Sequence, residues 1–215
     1  VNAESNTNLQ AVLTQFETIY AQAGISVGTT RYYELNAEDT ARFEVIRTED
    51  EVQEIVKRSV APGDDLDAVL SANIFFTGAF AMRGAIGVSS GLPGPAGLHG
   101  THGSGVVFTS EYMGQRIQDG FGADVDGNIY TGQVLAHEVG HYLGLFHTSE
   151  QTGRHFDPLG DTPQCTQLSP NCPDINNLMF PFAGESHTEL TTNQNYVIGA
   201  NPLTKTGPTT DGDTP

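Results

Sequence analysis

The chain has no tryptophan, only two cysteines and three methionines in 215 residues, and just nine lysines and arginines against 26 acidic residues. Each shortage excludes something. A formal net charge of -17 repels phosphate backbones and anionic headgroups, so neither nucleic acid nor a membrane surface is an expected partner. No run approaches the ~18 apolar residues of a membrane span, and no secretory signal opens the chain. Val1-Asn2-Ala3-Glu4-Ser5-Asn6 reads as a mature or trimmed terminus. Internal repeats are also missing. What remains is 37% hydrophobic residues, enough for one globular domain with a sizeable core.

One stretch organises the rest. His137-Glu138-Val139-Gly140-His141-Tyr142-Leu143-Gly144-Leu145-Phe146-His147 carries three histidines and a glutamate at fixed spacing. On a helix, His137 and His141 lie one turn apart on the same face, with Cβ atoms roughly 5–6 Å apart. Two imidazoles so placed can grip one metal ion. Glu138 is rotated by about 100°, so it flanks the metal and can act as general base toward water. His147 would sit roughly 120° off the ligand face of a continuing helix. It can be a third ligand only if the helix stops, and Gly144 is the residue that can stop it. Three neutral imidazoles with an open fourth position suit a catalytic zinc ion, Zn2+, rather than a closed structural site.

Along the chain, residues 8–23 have helical periodicity and Gly24 is a C-terminal stop. Ile25 to Leu35 and Phe43 to Arg47 read as strands, Glu49 to Val60 as a helix, Pro62 to Asp65 as a turn, and Leu70 to Phe76 as a buried strand. Gly84 to Gly105 is glycine-rich and reads as a long exposed loop, with a strand at Val106 to Thr109 after it. His99 and His102 in that loop are either solvated or a second metal pair, the former being the ordinary case. Asp124 to Asn128 resembles the start of a calcium loop but lacks its later glycine and glutamate, so an Asp-Gly turn is expected. Thr131 to Phe146 is the metal-binding helix. Leu178 to Phe182 is a compact apolar knot, and Leu190 to Val197 is a short helix capped by Thr191 or Thr192. Residues 205–215 are a polar tail or linker. Cys165 and Cys172 form a disulfide, remain two thiols, or make a metal pair. The disulfide is favoured, since three histidines already serve a metal, and it fits a secreted, extracellular protein.

With these residues in view, the chain resembles the metzincin peptidases, and within them the pappalysin-like family. The long zinc motif is the main likeness. Met179, in Asn176-Asn177-Leu178-Met179-Phe180, sits where that clan has its methionine turn beneath the zinc. His147-Thr148, Gly160-Asp161-Thr162-Pro163-Gln164 and the cysteine-bearing loop are shorter likenesses. The motif-bearing resemblance covers about residues 130–200. It departs at Pro181, where many relatives carry a tyrosine near the metal.

The resemblance implies an α+β fold. An N-terminal lobe (residues 1–147) would have a twisted mixed sheet with helices. A small irregular C-terminal lobe (148–204) would carry the methionine turn. It implies a zinc endopeptidase acting on polypeptide, expected as a monomer. The substrate would pair with an edge strand, for which Ser104 to Thr109, and within it Gly105, Val106 and Val107, is the candidate. His155, Asp157, Asp161 and Asp174 either hold a structural calcium ion, Ca2+, or act as loop caps.

Overall fold

The computed structural model describes residues 3–61, 70–82, 84–184 and 186–204. After a 3-10 turn at Ala3–Ser5, the elements run α1 (Thr7–Gln22), α2 (Ala37–Arg42), β1 (Val45–Ile46), α3 (Glu49–Val56), β2 (Ile74–Thr77), β3 (Ala79–Phe80), β4 (Gly87–Ser89), β5 (Val106–Thr109), β6 (Arg116–Gln118) and β7 (Asp124–Asp126), then α4 (Gly127–Tyr142) and α5 (Thr192–Ala200). The fold is α+β.

Local chemistry explains the helices. Asn6 caps α1 by accepting from the amides of Asn8 and Leu9, and Leu9, Val12, Phe16, Ile19 and Tyr20 line its buried side. Thr48 caps α3, which buries Val52, Ile55 and Val56. Asp126 caps α4. Thr191 caps α5 through a capping box with Gln194.

The central sheet is mixed, in the order β2-β5-β4. β5 runs parallel to β2, with Ile74 opposite Val106, and antiparallel to β4, with Val88 opposite Val107. Alternate side chains of a strand point to opposite faces. Val106 and Phe108 accordingly join a core made by α1, α4, Leu178, Met179 and Ile198. Val107 joins Phe43, Ile46 and the apolar side of α3. α1 and α4 are also tied by the Tyr20 hydroxyl, which donates to the Ala136 carbonyl over 2.9 Å.

This topology corrects the expected substrate strand. Gly105, Val106 and Val107 belong to the middle of the sheet: both sides of β5 are paired and Val106 and Val107 are fully buried. A peptide cannot add there. β4, one of the two outer strands of this sheet, lies inside the stretch read as one long loop. Ile25 to Leu35 is not a strand either. Val27 and Tyr33 are 39% and 59% exposed, so no neighbouring sheet accepts them. Asp124 to Asn128 is not a turn: Asp124–Asp126 pairs with Arg116–Gln118, and Gly127 already begins α4. The turn at Pro62 to Asp65 and the tail at 205–215 lie outside the described residues.

Candidate metal centre

α4 carries His137 and His141 one turn apart, and Leu143 ends it. The amide of Gly144 bonds the His141 carbonyl and that of Leu145 bonds the Gly140 carbonyl, which closes the helix in a Schellman motif. Gly144 has φ +111°, a backbone that favours glycine, as its position in the motif required. The chain then returns across the end of the helix and delivers His147 to the other two.

The three imidazoles meet through their Nε2 atoms. His147 Nε2 lies 3.2 Å from that of His137 and 3.1 Å from that of His141. Two nitrogens held at roughly 2.0–2.1 Å by one tetrahedral ion lie about 3.3–3.4 Å apart, so the spacing fits a shared metal. The opposite ring nitrogens fit as well. His137 Nδ1 donates to the Leu178 carbonyl and His141 Nδ1 to the Leu145 carbonyl, both over 2.7 Å. His147 Nδ1 donates to Glu150 Oε2 over 3.2 Å. A carbonyl or carboxylate can only accept, so each Nδ1 carries a proton and Nε2 is the nitrogen left to face a metal. Burial, then the neighbouring His141 and His147, holds the His137 pKa well below the ordinary value. Burial, then His147, pushes His141 down to about 4. Both rings are therefore neutral, as metal binding needs.

Glu138 follows His137 on α4. Burial pushes its carboxyl up to about 7, against a hydrogen bond from the Ser89 amide that favours the ionised form. That amide donates to Oε2 over 2.7 Å.

Met179 packs against α4 at Gly140. It is fully buried, and an ideal Cβ on Gly140 would come within 2.6 Å of its sulfur. Its turn is pinned on several sides. The Asn177 side chain accepts from the Met179 amide and exchanges two hydrogen bonds with Gln194 of α5. The Thr148 amide donates to the Met179 carbonyl. Pro181 follows and brings no hydroxyl.

Cys165 and Cys172 are joined in a disulfide with Cα atoms 5.5 Å apart. The loop is fastened to the residues after His147: Ser149 Oγ accepts from the Cys165 amide, and Asp174 Oδ2 accepts from Thr148 and Ser149. Among the described residues, His155, Asp157, Asp161 and Asp174 do not form a group of three or more metal-ligating atoms. Asp161 instead accepts from Thr191 and the Asn193 amide at the start of α5. Asp157 Oδ2 and Asp174 Oδ1 are buried and accept no hydrogen bond from the described residues. Burial raises the Asp157 pKa. His99 Nδ1 sits 2.8 Å from the Asn73 amide nitrogen, and His102 is exposed. Among the described residues, neither joins a metal-ligating cluster.

Sequence reasoning missed Glu150, Gln194 and the backbone of β4. Glu150, three residues past His147 in a polar turn, was the one with a local signal. No model of a known protein family matches this chain, and no curated protein matches it.

Proposed function

We propose that the chain is a secreted zinc-dependent endopeptidase. The observation that carries the reading is the convergence of His137, His141 and His147 through inward-facing Nε2 atoms, with Glu138 next to His137 on the same helix. Three imidazoles with their Nε2 atoms turned to one point suit zinc, which when bound supplies Lewis acidity and lowers the pKa of water toward ~7. Glu138 takes the proton from water and returns it to the leaving amine. A carboxyl with a pKa of about 7 is suited to both halves of that task. The hydrogen bonds on the Nδ1 atoms keep the rings in place. The free side of β4 offers backbone groups to which an extended peptide can add as a strand. That feature favours a peptide substrate over a small amide.

The disulfide suits an oxidising compartment, which supports secretion. Among the described residues no helix is long and apolar enough to cross a membrane. The orphan oxygens of Asp157 and Asp174 suit a structural calcium ion, since a buried carboxylate oxygen is costly without a partner.

The test is cleavage of a protein substrate with and without a zinc chelator, and with Glu138→Ala. The parent is expected to cleave, the chelated protein not to. Glu138→Ala should retain one zinc ion per chain yet lose cleavage by a factor of about 10²–10⁴. Full cleavage by that variant would refute the mechanism. A parent that binds zinc but cleaves no peptide would point instead to a hydrolase of another amide or to a binding module.

A further inference from the structure

Glu138 is not positioned by its own helix alone. An ideal Cβ built on Gly87 would come within 2.7 Å of Glu138 Cγ, 3.3 Å of its Cδ and 3.0 Å of Val134 Cγ1. The Glu138 side chain therefore runs through space that only a glycine leaves open. The backbone of Gly87 has no positive φ, so the requirement is for room and not for a special conformation. Two residues on, the Ser89 amide donates to Glu138 Oε2 over 2.7 Å.

The register shows which side of β4 this amide occupies. The Ser90 amide donates to Gly105 and that of Thr109 donates to Ile86, so residues 86, 88 and 90 turn their hydrogen-bonding groups toward β5. Gly87 and Ser89 turn theirs toward the free edge. The amide that Glu138 takes is one that a paired peptide would otherwise use.

We propose that the edge strand β4 is the seat of Glu138: Gly87 leaves the channel for its side chain, and the Ser89 amide anchors Oε2. This deepens the peptidase reading and rests on it. Oε2 is then the fixed oxygen and Oε1 the one that receives and gives the proton. An added peptide finds the Gly87 amide and carbonyl and the Ser89 carbonyl, and its register is limited to those three groups. Gly87 and Ser89 act as positioning residues, through Glu138 and not on the substrate bond.

The experiment uses Gly87→Ala in the zinc-loaded chain. Displacing a catalytic group by about 1 Å can cost on the order of 10²-fold, so kcat is expected to fall about 10- to 100-fold. KM should stay within about twofold and zinc content should stay at the parent level. Unchanged kcat, or a raised KM with kcat kept, overturns the proposal. Should Gly87→Ala fail to fold, amide exchange decides. In zinc-loaded Glu138→Ala, followed by NMR, the Ser89 amide should exchange at least about tenfold faster than in the parent, with Val88 and Ser90 unchanged. Equal protection of Ser89 in both proteins overturns the seat. If the parent cleaves no peptide, the peptidase reading fails while the exchange result still tests the contact.

Discussion

Gly140→Ala is a substitution whose sign the structure decides. In an exposed helix interior, alanine is favoured over glycine by about 1 kcal/mol. Gly140 lies inside α4, between the two helical histidines. Its new Cβ would meet Met179 Sδ at 2.6 Å, Met179 Cε at 3.5 Å and Leu145 Cδ1 at 3.7 Å. A methionine on a surface would swing away. Met179 is fully buried and lies in one core with Leu178, Leu145 and Val139. It can yield only by pushing those neighbours or by lifting α4. Overpacking of this kind costs about 1–3 kcal/mol. Against the ~1 kcal/mol helix gain, a net destabilisation of about 0–2 kcal/mol is expected. Urea unfolding of the metal-free chain measures it as a lower midpoint at unchanged slope. Met179→Ala, which removes the sulfur, should reverse the sign: in that background Gly140→Ala should stabilise. Gly140→Ala that stabilises the parent would refute the reasoning, because Met179 would then have room to move.

Other outcomes follow from the same contacts. Glu138 has a folded pKa of about 7 against an ordinary 4.5, so its ionisation opposes folding as pH rises between those values. Glu138→Gln should therefore raise the stability of the metal-free chain at pH 8 and lose that advantage by pH 4.5, a pattern read by urea midpoints across pH. Thr191→Ala removes the capping box of α5 and should cost about 1 kcal/mol in the same assay. Calcium at a hundredfold excess over its Kd should stabilise the parent by about 2.7 kcal/mol, and Asp157→Asn should abolish that shift in the melting temperature. A parent melting temperature indifferent to calcium would count against an ion at Asp157 and Asp174.

The metal triad was legible because its rule is local. His137 and His141 are related by helical repeat, and Gly144 stops the helix in the backbone conformation that glycine favours. The bounds of α1 and the cap of α5 were legible for the same reason, since caps and periodicity act within a few residues. The misread strand at Ile25 to Leu35 has β-type residues but no partner strand among the described residues, and strand propensity means little without one.

By itself, the sequence determined the helix that carries His137 and His141, the break that frees His147, and the candidate chemistry of Glu138. Only the tertiary structure decided which strand lies at the edge. Val106-Val107-Phe108-Thr109 lies in the middle of the sheet, paired on both sides and buried on both faces, while the equally apolar Ile74-Phe75-Phe76-Thr77 and the glycine-led Gly87-Val88-Ser89 take the two outer positions. At the β4 edge a missing Cβ makes room for Glu138 and a backbone amide turns outward to hold it. Pairing between residues 87 and 108, or between 89 and 138, is set by packing across the whole domain, and no local pattern carries it.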